Sequence, residues 1–252
     1  MASDLWYRHD MESLRDIMTT CIGANFGENP EERLDEIRES RYRHGKKVCR
    51  QLQITDQDTV ADIGSGCGFV TKAACELAKE VHCIDISSKF LNFTKVELED
   101  FTNTRFHHIE YAKFSDIADG SVDKIFSTAV FIHFYYYDFL FYLIEINRIL
   151  PTGGLFYTEI VDSDVLKIDT MAGIKNHVKT YKINIHGARL IQPFSLTALN
   201  NLAPQLGFSV EHTAQVRDVA EVVLKKTGPA ITPDWWKDIE ELEDLEELEE
   251  LN

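Results

Sequence analysis

The sequence predicts an α/β fold: a mainly parallel sheet, doubly wound, with helices on both faces. Three observations predict it. Short β-branched apolar runs alternate with helix-length segments from Thr59 to Val161. A glycine cluster, Gly64, Gly66 and Gly68, closes the first apolar run and opens a helix. Turn residues, Asp119-Gly120 and Pro151 with Gly153-Gly154, separate the later elements. With 252 residues, 44% of them hydrophobic, the chain can bury one sizeable core and carry a small cap.

In chain order, Glu12 to Leu52 reads as helical, broken over Gly23 to Pro30. Asn29-Pro30-Glu31-Glu32 is a helix start, and Leu34, Ile37, Tyr42 and Val48 form a loose helical stripe. Thr59–Ile63 is the first strand and Phe69–Ala78 a helix. Val81–Ile86 is the second strand, Lys89–Phe101 a helix and Phe106–Ile109 a weak third strand. Lys124–Phe131 is the fourth strand, Phe139–Leu150 a helix stopped by Pro151, and Leu155–Val161 the fifth strand. Helical crossovers of this length imply right-handed connections and parallel strands. Asp162 to Gln192 breaks the rhythm and reads as an insertion above the carboxyl ends of the strands. Ser195 caps a helix to about Leu206, which Gly207 ends. Phe208–Thr213 and Val219–Lys225 have no helix between them and predict an antiparallel hairpin at the sheet edge. The expected organisation is an N-terminal helical cap (1–53), a main domain (54–228, insertion about 162–192) and an acidic tail (229–252). No internal repeat is visible.

Composition excludes several classes. No apolar run reaches the roughly 20 residues that span a bilayer. Met1 to Asp10 is charged and does not read as a signal peptide. Cys21, Cys49, Cys67, Cys75 and Cys83 form no CxxC pair, so neither a metal centre nor a disulfide framework is expected. A reducing cytoplasm is the expected location. Net charge is −16; ten acids and Lys237 make −9 of it from Asp234 to Asn252, leaving −7 on the body. That charge disfavours nucleic acid as a partner, although a basic stretch runs from Arg41 to Lys47.

The densest signal is Val60-Ala61-Asp62-Ile63-Gly64-Ser65-Gly66-Cys67-Gly68. A tight turn needs positive φ, and a ligand approaching backbone needs Cβ out of the way. A lone glycine-rich loop also serves as a plain structural turn. This one reads GxGxG, not the dinucleotide GxGxxG, and no GxxxxGK[ST] is present. Asp62, two residues before Gly64, disfavours a pyrophosphate and favours a cationic group such as an amino group. Asp85 ends the second strand, 17 residues after Gly68. It reads either as the cap of the helix near Ser87 and Ser88 or as a ribose acceptor; its register with the glycine loop favours ribose.

From about Thr55 to Lys226 the sequence resembles class I S-adenosylmethionine-dependent methyltransferases, in particular the small-molecule group with the ubiquinone-biosynthesis-type enzymes. Asp62 to Gly68 matches the first motif, and Ile84-Asp85-Ile86-Ser87 the ribose motif. Asp119 to Asp123 followed by Ile125-Phe126-Ser127-Thr128 is similar to the fourth-strand motif. Glu145 to Gly154 is similar to the helix and turn before strand five, and Phe194-Ser195 to Gly207-Phe208 to the late helix. The resemblance implies a Rossmann-like seven-stranded sheet with an antiparallel last strand, and S-adenosylmethionine as cofactor. It implies that Gly64, Ser65, Gly66 and Gly68 form the loop under the methionine part. Asp62 would orient that loop and the amino group, Asp85 would bind ribose, Ile86 would lie against adenine, and Ser127 would stand near the methionine moiety. One departure is clear. The family often has an acid after the third strand for the adenine amino group; here that position is Tyr111, followed by Ala112, with Glu110 and Asp116 nearby.

Methyl transfer from a sulfonium needs alignment and water exclusion, and a base only where the acceptor keeps its proton. His133, just past the fourth strand, is the candidate base; its alternative is a packed histidine. Tyr135, Tyr136, Glu159 and His186 are candidate acceptor contacts, each with a packing or surface alternative. The expected activity is methyl transfer to oxygen or nitrogen of a small molecule. The alternatives are a cofactor-binding interaction protein without catalysis, and a protein or RNA methyltransferase. The tail, with Trp235-Trp236 and leucines at 242, 245, 248 and 251, reads as a solvated helix, a disordered tail or a docking segment; a flexible or partner-dependent helix is expected, open to a protein partner or self-association.

Overall fold

The computed structural model describes residues 33–181 and 191–230. Helix α1 (Leu34–Leu52) buries Ile37, Val48, Cys49 and Leu52 along one stripe. Gln53 stops it in the left-handed region at φ 54°, with Gln53 N and Ile54 N bonded back to Arg50 O and Cys49 O. Strand β1 (Thr59–Ile63) leads into α2 (Thr71–Cys75), then β2 (Glu80–Asp85), α3 (Ser88–Glu97) and β3 (Thr104–His108). Next come β4 (Lys124–Ser127), a 3₁₀ turn (Phe131–His133), α4 (Tyr136–Ile149) and β5 (Leu155–Asp162). Helices α5 (Ser163–Leu166) and α6 (Met171–Tyr181) precede β6 (Pro193–Phe194) and α7 (Leu196–Leu202). A second 3₁₀ turn (Ala203–Leu206), β7 (Phe208–Val216) and β8 (Val219–Lys226) follow.

The strand order is β3-β2-β1-β4-β5-β8-β7, with the two-residue β6 paired to the end of β5. Strands β1 to β5 pair in parallel, and β8 runs antiparallel to both β5 and β7. The chain winds outward from β1 in both directions, so the crevice at the carboxyl ends of β1 and β4 is the topological switch point.

Both faces of the sheet are covered. Alternate residues serve opposite cores: Ala61, Ile63, Ile125 and Phe156 pack under α4 and α7, while Val60, Phe126 and Tyr157 pack under α1 and α2. Gly45 brings α1 close to α2, since a Cβ there would stand 2.4 Å from Val70 O.

Besides shifts of element ends such as Thr71–Cys75 for the expected Phe69–Ala78, the structure differs from the expectation in three respects. The sheet has eight strands, because Pro193–Phe194 adds a short parallel pair to the expected seven. Strand β4 stops at Ser127, not Phe131, because Ala129 takes φ 57°, outside any strand conformation. The late helix begins at the Ser195 cap, whose hydroxyl accepts from Ala198 N at 3.0 Å. It tightens to 3₁₀ at Ala203, where Pro204 has no N–H to give. Gly207 ends it at φ 73°. As expected, β7 and β8 form an antiparallel hairpin at the sheet edge, with β7 outermost. Within the expected insertion, 182–190 lie outside the described residues; Gln192 N returns to Ile132 O at 2.7 Å.

Candidate functional site

The loop after β1 is pinned to β2 by backbone alone. Gly64 N and Ser65 N both donate to Ile84 O, at 2.8 and 3.1 Å. Gly64 has φ 76°, and a Cβ there would stand 2.3 Å from Val130 Cγ2, so only glycine lets this loop and the turn after β4 meet. Gly68 sits against Thr94 of α3, whose hydroxyl reaches Gly66 O at 2.8 Å.

Asp85 joins the loop to the next helix. Its Oδ2 accepts from Gly66 N and its Oδ1 from Ser87 N, each at 2.9 Å. Burial pushes its carboxyl up to about 6, against the pull of those N–H groups. Asp62 faces the other way. It is buried beneath the loop, accepts from the Thr71 hydroxyl at 2.6 Å, and is pushed to about 7 by burial.

The loop, the end of β2 and the turn after β4 enclose a cavity of about 140 Å³. Its floor is Ile63 to Cys67, with Phe69 and Val70 beyond. Asp85, Ile86, Ser87, Phe90 and Ile109 line one end; Thr128, Ala129, Val130, His133, Phe134 and Tyr142 line the other, and Arg41 of α1 completes it. The Ser65 hydroxyl is buried in the described structure and has no hydrogen-bond partner there. Phe131, packed on Phe134 and Tyr142 at 5.2 and 5.4 Å between centroids, stiffens the aromatic wall.

Of the residues singled out from sequence, Gly64, Ser65, Gly66, Asp85, Ile86 and His133 therefore stand together at the cavity. Others do not line it. Asp62 is turned toward Thr71, and Gly68 packs on α3. Tyr111 gives its hydroxyl to Asp138 at 2.7 Å and lies edge-on to Phe141 and Tyr142, while Ala112 is in the core. Ile109 takes the lining place near them. Ser127 donates to Ile63 O at 2.8 Å, and Thr128 lines the cavity instead. Tyr135 and Tyr136 are outside, 45% and 42% exposed, with Tyr136 stacked on Phe194. His186 lies outside the described residues.

Glu159 is engaged elsewhere. Its carboxylate accepts from Ala129 N at 3.1 Å and from the Tyr157 hydroxyl at 3.0 Å, and meets His44 Nε2 of α1 at 3.0 Å. Burial pushes Glu159 up, but His44, Tyr157 and Ala129 together hold it below the usual carboxylate range. It thus fixes the left-handed Ala129 turn that walls the cavity. Sequence reasoning missed this role, as it missed Arg41, Phe90, Ile109 and the Thr128–Val130 turn. Among the described residues, no group of three or more His, Cys, Asp or Glu side chains is placed to hold a metal ion.

Comparisons with known proteins agree with this fold. Residues 12–242 match the profile of the family described as mycolic acid cyclopropane synthetase. A ribosomal RNA small subunit methyltransferase A of Syntrophus aciditrophicus is 30% identical over 83 residues, 32% of this chain and 30% of that protein. The chain thus aligns with less than a third of that relative's length. A chain of the complex between the Haloferax volcanii Trm112 methyltransferase activator and a methyltransferase superposes with TM-score 0.62 at 16% identity, covering 79% of this chain and 96% of that one. The Burkholderia thailandensis 1,6-didemethyltoxoflavin-N1-methyltransferase, with 1,6-didemethyltoxoflavin and S-adenosylhomocysteine bound, superposes with TM-score 0.57 at 16% identity, covering 75% and 80%. The chain belongs to the mycolic acid cyclopropane synthetase family, and its fold is that of S-adenosylmethionine-dependent methyltransferases.

Proposed function

We propose that this family member is an S-adenosylmethionine-dependent methyltransferase that methylates an oxygen or nitrogen of a small molecule. The observation that carries the reading is the convergence of Asp85, the glycine loop and the unsatisfied Ser65 hydroxyl on one cavity at the switch point. These residues fit the cofactor. Each Asp85 oxygen uses one lone pair on a backbone N–H and keeps another for a ribose hydroxyl. A buried hydroxyl without a partner is costly unless a ligand satisfies it, which suits Ser65 beneath the methionine part. Ile86, Phe90 and Ile109 offer apolar surface to a purine.

When bound, S-adenosylmethionine supplies a methyl group on a cationic sulfur. The chain's part is alignment and dryness: the Glu159-held turn fixes one wall, and Phe134 and Tyr142 exclude water. His133, in the same lining, takes the proton of an acceptor that still carries one.

A small acceptor is supported by the net charge of −16, which repels a phosphate backbone, and by the 1,6-didemethyltoxoflavin bound to the Burkholderia neighbour. The similarity to ribosomal RNA methyltransferases favours RNA as the second reading. In the first reading 1–53 serve as a helical cap, 54–228 as the transferase domain with its insertion at 162–192, and 229–252 as an acidic tail for a protein partner. Among the described residues no helix is long and apolar enough to cross a membrane, and a cytoplasmic location is part of the proposal.

The test is calorimetry with S-adenosylhomocysteine, followed by transfer of labelled methyl from S-adenosylmethionine to separated metabolite, RNA and protein fractions. Binding plus label in the metabolite fraction supports the reading. Label in RNA selects the second reading, binding without transfer points to a non-catalytic binder, and no binding refutes the assignment.

A further inference from the structure

We infer that Arg41 is the carboxylate-binding group of the cleft, an assignment that rests on the cofactor reading above. Helix α1 carries six lysines and arginines, and most are engaged. Arg38 pairs with Glu97 at 3.0 Å, Arg43 with Glu39 at 3.5 Å, Lys47 with Glu221, and Lys46 lies over the Tyr42 ring at 4.2 Å. Arg50 is exposed in the last turn. Arg41 is the one of the six that lines the cavity; it is half-buried and has no ion pair or hydrogen bond among the described residues.

Its position is fixed by its neighbours on the helix. One turn before it, the Arg38 guanidinium lies 5.5 Å from the Phe69 ring centre. One turn after it, Gly45 is pressed against Val70. Arg41, between them, therefore faces the opening of α2, just past the glycine loop. His44, bonded to Glu159 at 3.0 Å, holds the same helix to the opposite wall.

The lining has two formally charged side chains of opposite sign, Asp85 and Arg41. A half-buried cation without a partner among the described residues, in a cavity at the switch point and in a chain of net charge −16, suits an anionic ligand. The planar guanidinium fork suits a carboxylate, which it binds through two parallel hydrogen bonds. The cleft so built takes a ligand whose hydroxyls meet Asp85 and whose carboxylate meets Arg41. That carboxylate has two sources: the amino-acid end of the cofactor, or the acceptor.

The test is calorimetry on wild type, Arg41→Met and Arg41→Lys with three probes. S-adenosylhomocysteine carries the amino-acid end; 5′-methylthioadenosine lacks it; benzoate, added to the S-adenosylhomocysteine complex, mimics an acceptor carboxylate. If the cofactor supplies the group, Arg41→Met weakens S-adenosylhomocysteine on the order of ten- to a hundred-fold and leaves methylthioadenosine within about twofold. Arg41→Lys then recovers part of the loss. If the acceptor supplies it, S-adenosylhomocysteine binds equally and benzoate binding vanishes in Arg41→Met. The inference is overturned if neither carboxylate depends on residue 41. Retained methylthioadenosine binding shows that the variants are folded. Failure of the wild type to bind both nucleosides instead refutes the cofactor reading itself.

Discussion

Replacing Asp85 by alanine separates what this carboxylate does for the fold from what it does for the ligand. At neutral pH the group is a burden to the empty protein. Burial raises its carboxyl from 3.8 to about 6, and each unit corresponds to about 1.4 kcal/mol, so keeping it ionised costs about 3 kcal/mol. Its removal leaves Gly66 N and Ser87 N without their acceptor, at about 1–3 kcal/mol each unless water reaches them. These effects oppose each other, so the midpoint of thermal unfolding should move by only a few degrees. Binding has no such compensation. Two ribose hydroxyls donating to a carboxylate contribute about 3 kcal/mol or more, so affinity for S-adenosylhomocysteine should fall at least on the order of a hundred-fold. Acid tests the same group. Because its pKa is raised in the folded protein, the stability linked to Asp85 is fullest below about 4 and declines as pH rises through about 6. Ligand affinity has the opposite slope, since only the ionised form accepts two hydroxyls. Between pH 7 and pH 5 affinity should drop about tenfold in the wild type, and the Asp85→Asn variant should lose that pH dependence. Calorimetry across this range decides. An Asp85→Ala protein that binds within about threefold of wild type would refute the ribose assignment.

Four further outcomes follow from named residues. Gly64→Ala places a Cβ 2.3 Å from Val130 Cγ2 at φ 76° and should cost about 2–4 kcal/mol in urea unfolding, with loss of ligand binding. Gly120→Ala, whose Cβ finds nothing nearer than 3.8 Å at φ 62°, should cost only about 1–2 kcal/mol and spare binding. Glu159→Ala strands the Ala129 N–H, the Tyr157 hydroxyl and His44, and should destabilise by about 2–4 kcal/mol above the usual carboxylate range. Because Glu159 titrates low in the folded protein, that difference should shrink as pH falls through its pKa. His133→Gln should bind S-adenosylhomocysteine within about twofold of wild type, yet transfer labelled methyl to its acceptor about a hundred-fold more slowly or worse; equal rates would remove it as the base.

What was legible in the sequence is what short-range chemistry writes there. Thr59–Ile63 is bounded by turn residues and glycines and has the limits expected from them. Ser195 caps α7 because a side-chain acceptor two or three residues before free N–H groups needs no tertiary partner. The two acids show where this ends. Asp62 and Asp85 both stand near the end of a buried strand, and sequence treated both as ligand groups. Strand parity separates them: Asp62 shares its face with Val60, the face covered by α1 and α2, so it points into packed protein and finds Thr71. Asp85 is the last residue of β2, where the strand gives way to the switch-point crevice. That distinction could have been made from the alternation of Val60, Ala61, Asp62 and Ile63.

Glu159 and Arg41 could not have been placed in this way. Glu159 acts through Ala129 and His44, 30 and 115 residues away. Ala129 itself has a left-handed conformation with no glycine to mark it. It persists because a buried carboxylate from the neighbouring strand takes its N–H, a compensation that exists only once β4 and β5 are side by side. Arg41 is one base among six on its helix, and nothing local separates it from Arg38 or Arg43. Its difference is that it lines the cavity with no acid opposite it among the described residues, and that becomes visible only when α1 is laid across α2. The parts of the cleft proposed to hold the nucleoside are thus local in sequence. The Ala129 turn and the placing of Arg41 arise from contacts between distant elements.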